Sequence, residues 1–387
     1  MDFILTSDID RIHESNRKQL IANNRADFFN SLEWYSLFSK HCLPDGYSPL
    51  FLSGIGRGPD ESGFTLFLCT PAGQPGARLT SPLFRGQSLS SLTNYQTGRF
   101  APAITASAAE DRQAVIRLMA TGIREKLGDF AMFDFNHCDP DTDAARTITE
   151  AFRTAGFTAE PYFYNITLME PTRGCDYETF LSRRSRKFRQ NLRRWERQLA
   201  KLGTLDYALC SGTDDLERHI GHYESVLALS WKEPEPFPAF SSGIIAAAAR
   251  SGVLRLGFLF LDGKPIGTQF WISSGGRATI YKSHFDGSYG AKFGIGNLLT
   301  MKMMQDVIAM DAIHTVDFGT GGEVYKKEIM SGVQELSGVA AFNTRLLKGR
   351  ILLAQYRAGT LAACAKQRIK NALQGLRLPG ARSVPAK

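Results

Sequence analysis

Residues 276–319 narrow the possible folds more than any other part of this chain. Arg277 to Phe285 is rich in β-branched and aromatic residues and predicts a strand. Tyr289-Gly-Ala-Lys-Phe-Gly-Ile-Gly-Asn297 predicts a loop, Leu298 to Met310 an apolar helix, and His314-Thr-Val-Asp-Phe-Gly319 a second strand. A strand that feeds a glycine loop and a helix N-terminus builds an anion cradle. The first-turn N–H groups have no intrahelical partners, and the helix dipole adds about half a positive charge. Gly294 and Gly296 carry no side chain to hold a diphosphate away from that backbone. The pattern implies an enzyme that uses a phosphate-bearing cofactor.

With 387 residues, 43% of them hydrophobic and 22% charged, the chain can build two domains with real cores. It contains no apolar run of the roughly 18 residues a membrane span needs. The start, Met1-Asp-Phe-Ile-Leu-Thr-Ser-Asp, has acids where a signal peptide has bases. Cys42, Cys69, Cys138, Cys175, Cys210 and Cys364 are scattered without a Cys-x-x-Cys pair, which suits reduced thiols and no zinc ribbon. These features imply a cytoplasmic protein without a metal site. The net charge of +8 is unevenly placed: residues 183–201 hold nine Lys/Arg and one acid, and residues 345–387 hold ten Lys/Arg and no acid. The remainder is an acidic body, and its two basic blocks imply anionic partners.

Along the first half, Ser31–Phe38 predicts a helix capped by Ser31. Strands are expected at Tyr47–Ser53, Phe64–Thr70, Ala77–Phe84, Phe130–Phe135 and Glu160–Leu168, helices at Ala108–Leu127 and Thr142–Ala155, and a loop over 86–99. In the second half, Tyr177–Leu202 predicts one long helix. Phe180, Leu181, Phe188, Leu192, Trp195, Leu199 and Leu202 form its apolar stripe, and Arg183, Arg184, Arg186, Lys187, Arg189, Arg193, Arg194, Arg197 and Lys201 form its opposite face. Helices Asp214–Trp231 and Ile244–Arg250 precede a hairpin, Val253–Leu261 and Pro265–Ser273, turning at Asp262-Gly-Lys. Val333–Phe342 predicts a closing strand and Leu346 to about Leu376 a basic helix. The boundary between halves falls near Pro171-Thr-Arg-Gly174. The fold class is α/β (α+β): two domains in tandem, each a mixed, mostly antiparallel sheet flanked by helices, with a basic C-terminal helical tail.

Several segments of the second half carry a resemblance: Ser230-Trp-Lys232, Leu254 to Gly267 with its Asp-Gly-Lys turn, Tyr281 to Asp286, Gly294-Ile-Gly-Asn-Leu-Leu299, and Asp317-Phe-Gly-Thr-Gly-Gly-Glu-Val-Tyr-Lys326. Their order resembles the GNAT-superfamily N-acetyltransferases of the CelD/BcsL-like (BioF2-like) group, which are related to the Fem-type transferases. The resemblance spans about 175–343; the first half shares the order of elements and Phe29-Asn-Ser-Leu-Glu-Trp34. It implies a degenerate GNAT-like domain over 1–170, a catalytic one over 171–344, and a tail over 345–387. It further implies acetyl-CoA, or another acyl-CoA, with its pantetheine arm in a split between Ala278–Phe285 and His314–Phe318. The diphosphate would rest on Lys292, Phe293, Gly294, Ile295, Gly296 and Asn297. The family's loop usually begins with Gln or Arg where this chain has Ala291, and Lys292 can replace part of that charge.

Among the candidate site residues, Asp317 is a general base or an acceptor for N–H groups of the Gly319–Gly322 turn. Asp317-Phe-Gly is not a kinase motif, because no His-Arg-Asp loop accompanies it. Asn297 is either a helix cap or part of the cradle. By resemblance Tyr325 would protonate a departing thiolate, and its alternative is packing. His284 is a second candidate base. Trp231, Asp286 and Lys326 are candidate substrate contacts, with core packing, an alternative base role and plain solvation as their respective alternatives. His219 and His222 lie three apart without a carboxylate to complete a metal site.

The family implies N-acyl transfer to an amine, with a small-molecule amine or amino sugar of cell-envelope or exopolysaccharide synthesis as acceptor. A Fem-type transfer from aminoacyl-tRNA is the alternative favoured by the arginine-rich helix. A non-catalytic part of a polysaccharide-synthesis complex is the alternative kept open by Ala291. The tail either lies on an anionic membrane, at the inner face, or packs on the domain with its basic side outward.

Overall fold

The computed structural model describes residues 1–56, 62–70, 87–105, 111–289 and 291–375. Its strands are β1 (Asp2–Thr6), β2 (Ser48–Ile55), β3 (Gly63–Thr70), β4 (Ser88–Ser91), β5 (Ala103–Thr105), β6 (Met132–Cys138), β7 (Thr158–Pro171), β8 (Leu205–Cys210), β9 (Leu254–Leu261), β10 (Lys264–Ser274), β11 (Arg277–Phe285), β12 (Thr315–Thr320) and β13 (Gly332–Phe342). Its helices are α1 (Glu14–Ala26), α2 (Leu32–His41), α3 (Asp111–Lys126), α4 (Ala144–Thr154), α5 (Tyr177–Ser182), α6 (Arg186–Leu199), α7 (Leu216–Ala228), α8 (Pro238–Arg250), α9 (Ile295–Met310), α10 (Val324–Ile329) and α11 (Leu347–Gly375).

All thirteen described strands join one sheet in the order β1-β2-β3-β4-β6-β13-β7-β12-β11-β10-β9-β8, with β5 beside β3. Two of these pairings are parallel, β4 with β6 and β11 with β12, and the rest are antiparallel. The chain is therefore a mixed, mostly antiparallel sheet flanked by helices, as the patterning predicts. The long strands β7 and β13 lie at its centre. β13, from the end of the second half, pairs with both β6 and β7 of the first.

One large core packs Phe28, Phe29, Trp34 and Phe38 of the first half against Phe240, Ile244, Leu256 and Phe270 of the second. A second core lies on the other face of the second half, under α6 and α9, and includes Phe188, Trp195, Trp271, Leu299 and Met303. Among the described residues no helix is long and apolar enough to cross a membrane.

Some expectations need correction. Tyr177–Leu202 is two helices: Asp176 caps α5 by accepting from Thr179 N, and Ser185 caps α6 by accepting from Phe188 N at 3.1 Å. At the break Arg184 turns inward and pairs with buried Glu170 at 2.8 Å, so it leaves the exposed basic face. Residues 86–99 include β4, four buried residues of low strand propensity that tertiary pairing with β3 and β6 holds extended. α9 starts at Ile295 with Gly294 as its N-cap, so Asn297 lies in the first turn and does not cap it. The strand expected at 77–84 lies outside the described residues.

Candidate functional site

Each half contains one parallel strand pair, and the two pairs differ. β4 and β6 align over three residues, Ser88–Ser90 with Met132–Asp134. Beyond them, Ser91 Oγ accepts from Asn136 N at 3.2 Å, Thr93 Oγ1 donates to Asn136 Oδ1 at 2.9 Å, and Phe100 bridges to Cys138. Residues 91–100 thus span the gap. β11 and β12 also align over three residues, ending at Thr279 opposite Asp317. Beyond that point β11 continues to Phe285 and β12 to Thr320 without pairing to each other. A bulge at Tyr281 marks the divergence on the β10 side, and another between Asp317 and Thr320 marks it on the β7 side. The second half therefore holds a wedge between two splayed strands.

The glycine loop stands beside this wedge. Gly294 has φ +55, and a Cβ on it would lie 2.3 Å from the Trp195 ring, so conformation and packing both require glycine there. Gly296 differs: a Cβ would meet nothing closer than Ser283 Oγ of β11, at 3.9 Å. Gln269 Nε2 ties the turn to the sheet by donating to Gly296 O at 3.0 Å, Thr300 Oγ1 at 2.8 Å and Ser283 Oγ at 3.0 Å. Leu298 N donates to Gly294 O, and no side chain caps the helix. Helix geometry leaves the N–H groups of Ile295, Gly296 and Asn297 without intrahelical acceptors. Lys292 is exposed, its ammonium over the Phe293 ring, while Ile295 is buried against Gly267.

At the apex, buried Asp317 accepts from Thr167 Oγ1 at 2.5 Å and from Gly319 N at 2.8 Å, and it lies 3.4 Å from Arg277 Nη1. Arg277 also pairs with Asp141. The Asp317 oxygens are thus engaged in holding the strand end. Thr279 Oγ1, buried opposite, has no partner among the described residues.

The two strand edges facing the wedge are capped by lysines. Asp286 N bonds Ile266 O on the β10 side, so alternation points the Ser283 carbonyl toward β12, where Lys232 Nζ donates to it at 2.6 Å. Gly321 N bonds Ile166 O on the β7 side, which turns the Thr320 carbonyl toward β11, where buried Lys326 Nζ donates to it at 2.7 Å. Lys326 also pairs with Glu323 at 2.9 Å, which excludes plain solvation. Desolvation, and then Lys282, hold the Lys232 ammonium below its usual range, with Lys326 contributing. Tyr325 is 48% exposed and stands edge-on to Phe318.

His284 is buried on the α7 side of β11, near Tyr223, with both ring nitrogens unpartnered. Burial, then Lys232, push its pKa down to about 3. Glu235 Oε1 lies 3.8 Å away, pairs with Lys282 at 2.8 Å, and its other oxygen accepts from Gln96 Nε2 at 3.0 Å. Tyr281 Oη donates to Gln96 Oε1 at 3.3 Å. Asp286 is also buried, but Ser288 N and Oγ occupy its Oδ1, so it braces the turn after β11. Trp231 is 69% exposed, which excludes core packing. Sequence reading missed Gln96, Glu235 and Lys282. The one signal was Lys232-Glu-Pro-Glu-Pro-Phe237, two acids stiffened by prolines beside the Ser230-Trp-Lys motif. His219 stacks on Phe258 and His222 stands edge-on to it, and among the described residues no group of three His, Cys, Asp or Glu could hold a metal ion.

Residues 186–327, which contain the wedge, the glycine loop and both lysines, match the family model of an acetyltransferase (GNAT) domain. No curated protein matches the sequence. Among solved structures, FemX aligns with 90% of this chain and 100% of its own, at 10% identity and a TM-score of 0.56. The C-terminal domain of a protein assigned as a lysylphosphatidylglycerol synthetase from Agrobacterium fabrum aligns with 90% of this chain and 96% of its own, at 12% identity and a TM-score of 0.53. A tandem GNAT protein from the clavulanic acid biosynthesis pathway is a weaker likeness, at 10% identity, 88% and 98% coverage and a TM-score of 0.43. Residues 186–327 are thus similar to a GNAT-type acetyltransferase domain.

Proposed function

We propose that residues 171–344 are an acyl-CoA-dependent N-acyltransferase of the CelD/BcsL-like group, with 1–170 a degenerate partner domain and 345–387 a tail. The reaction is acetyl transfer from acetyl-CoA to an amine, and the acceptor class is an amino sugar of cell-envelope or exopolysaccharide synthesis. The observation that carries this reading is the parting of β11 from β12 after Thr279 and Asp317, directly beside the α9 N-terminus.

The residues present fit such a group. Nothing crowds Gly296 closer than 3.9 Å, the first-turn N–H groups are free of intrahelical acceptors, and Thr279 Oγ1 is an orphaned polar atom at the apex. Ile295, Gly296 and Asn297 hold the diphosphate through their N–H groups, with Lys292 adding charge. Bound acyl-CoA supplies an activated thioester. His284 has free ring nitrogens and stands 3.8 Å from Glu235 Oε1, so it relays the proton of the attacking amine through water to solvent, its low pKa keeping it from holding that proton itself. Asp317 fixes the strand end. Tyr325 Oη gives its proton to the leaving sulfur, and Lys326, Trp231 and Asp286 border the acceptor. Calorimetric titration with acetyl-CoA and with CoA tests the first step: both bind and compete, and absence of heat and competition overturns the reading.

The basic face of α6 supports a second reading, an aminoacyl-tRNA donor. Arg186, Lys187, Arg193, Arg194 and Arg197 are exposed on the helix whose Trp195 packs on Gly294. Filter binding of tRNA across a salt series distinguishes the two, because phosphate contacts weaken steeply with salt.

A further inference from the structure

The C-terminal helix has two apolar faces, and the domain uses only one. Leu346, Leu352, Leu353 and Tyr356 pack against Ala131, Met132, Ala340 and Phe342 of the sheet. Gly349 allows the close approach, since a Cβ there would overlap the Asn343 carbonyl. About half a turn away around the helix, Leu347 is 72% exposed, Ile351 39% and Leu361 71%. Ala354 and Ala358, also exposed, continue the stripe at spacings of four and three. Lys348 flanks this stripe on one side, and Arg350 and Arg357 flank it on the other. Arg357 is tied to Glu160, while all residues from Ala358 to Ala363 stay exposed.

We propose that α11 docks the protein on an anionic lipid surface, lying flat with Leu347, Ile351 and Leu361 in the headgroup–acyl boundary and Lys348 and Arg350 on the headgroups. An apolar stripe with Lys348 on one flank and Arg350 on the other fits such an interface. A phosphate backbone offers the leucines nothing to contact. Pairing of α11 with a second copy would set cation against cation, because residues 345–387 contain no acid. The sequence left bilayer contact and packing on the domain as alternatives; the structure packs one face and leaves the opposite apolar stripe uncovered. This inference is independent of the acyl donor.

Co-sedimentation of the full chain with sucrose-loaded vesicles tests it. The vesicles are phosphatidylcholine alone, or phosphatidylcholine with about one quarter phosphatidylglycerol. The protein pellets with the anionic vesicles and stays in solution with the neutral ones. Combined Leu347→Glu, Ile351→Glu and Leu361→Glu, all at exposed positions, abolishes pelleting without lowering Tm. Lys348→Gln and Arg350→Gln each weaken it about 5-fold. Failure of the wild type to pellet overturns the proposal, as does unchanged pelleting of the triple variant. A gel-filtration dimer, or tRNA binding, that the triple variant alone loses would reassign the stripe and also overturn it.

Discussion

The Trp195 ring occupies the space beside the Cα of Gly294, within 2.3 Å of where a Cβ would stand, whereas the nearest atom to a Cβ on Gly296 is Ser283 Oγ at 3.9 Å. The two glycines of Gly-Ile-Gly therefore serve different ends. Gly294 lets the chain turn at positive φ under the Trp195 ring, whereas the position of Gly296, beside Ser283 and Phe285 of β11, would accept a Cβ without a clash.

This difference separates folding from binding. Gly294→Ala should cost about 1–2 kcal/mol from the left-handed backbone alone, with the clash against Trp195 added. Gly296→Asp should leave Tm unchanged or slightly higher, because an acid in the first turn suits the helix dipole and replaces a poor helix former. The same carboxylate repels a diphosphate, so CoA affinity in calorimetry should fall about 100-fold or more, or roughly 3 kcal/mol. Unaltered CoA binding by a folded Gly296→Asp protein would move the diphosphate site elsewhere.

Arg184 joins the break between α5 and α6 to β7 through Glu170, and Glu170 Oε2 also accepts from Ser331 N at 2.8 Å. Both side chains are buried. Arg184→Ala should destabilise by about 3–5 kcal/mol, because it leaves a buried carboxylate without its counter-charge. The double change Arg184→Met, Glu170→Gln should recover part of that loss. Urea unfolding checks both, and a loss below about 0.5 kcal/mol for Arg184→Ala would place the pair in the weak class of surface bridges.

The elements that sequence reading placed are those whose patterning decides their burial. The β9–β10 hairpin follows from Asp-Gly-Lys, α2 from its Ser31 cap, and the strand–loop–helix–strand from β-branched runs and glycines. The elements it missed have weak patterns. α1 buries only Asn16 and Leu20, and β4 is Ser-Leu-Ser-Ser, extended only because β3 and β6 flank it. The same holds for the site. The glycine loop and the start of α9 are local in sequence and legible. Gln96, Glu235 and Lys282 meet only in three dimensions, and the lysine caps on Ser283 and Thr320 depend on strand register, which one sequence does not fix.

Acid should weaken the fold, with a sign set by opposing groups of histidines and carboxyls. Burial pushes His284 down to about 3 and His137 to about 4, from an ordinary 6.5, and it raises Asp134 from 3.8 to about 6 against an opposing bond from Tyr162. Between pH 4 and 6.5 the unfolded chain binds more protons at both histidines, so their contribution falls as pH drops. Asp134 acts in the opposite direction between pH 3.8 and 6, because the folded chain keeps a proton that the unfolded chain loses. Burial also raises Asp139, which acts with Asp134, whereas His219 and Glu235 are both lowered and act with the two histidines, so Tm should decline from about pH 6.5 toward about pH 4.5. His284→Gln should flatten that slope. A slope unchanged in the variant would mean that His284 carries no buried-neutral penalty.

Tyr325 is the cleanest test of chemistry separate from folding, because it stands on the short helix α10 and is half exposed. Burial, then the neighbouring Glu323 carboxylate, hold its phenol above the usual range. The hydroxyl is therefore protonated throughout the neutral range and available as a donor. Tyr325→Phe keeps the edge-on contact with Phe318 and removes only that proton, so Tm should not change. Steady-state assay with acetyl-CoA and an amino-sugar acceptor should show kcat lowered by about 10²–10⁴-fold with KM for acetyl-CoA unchanged. A poorly basic leaving thiolate would need the donor less, so a donor with a more basic leaving group should suffer the larger loss. Equal kcat in the variant and the wild type would place the proton donor on another residue or on water, and would leave Tyr325 as a packing residue against Phe318.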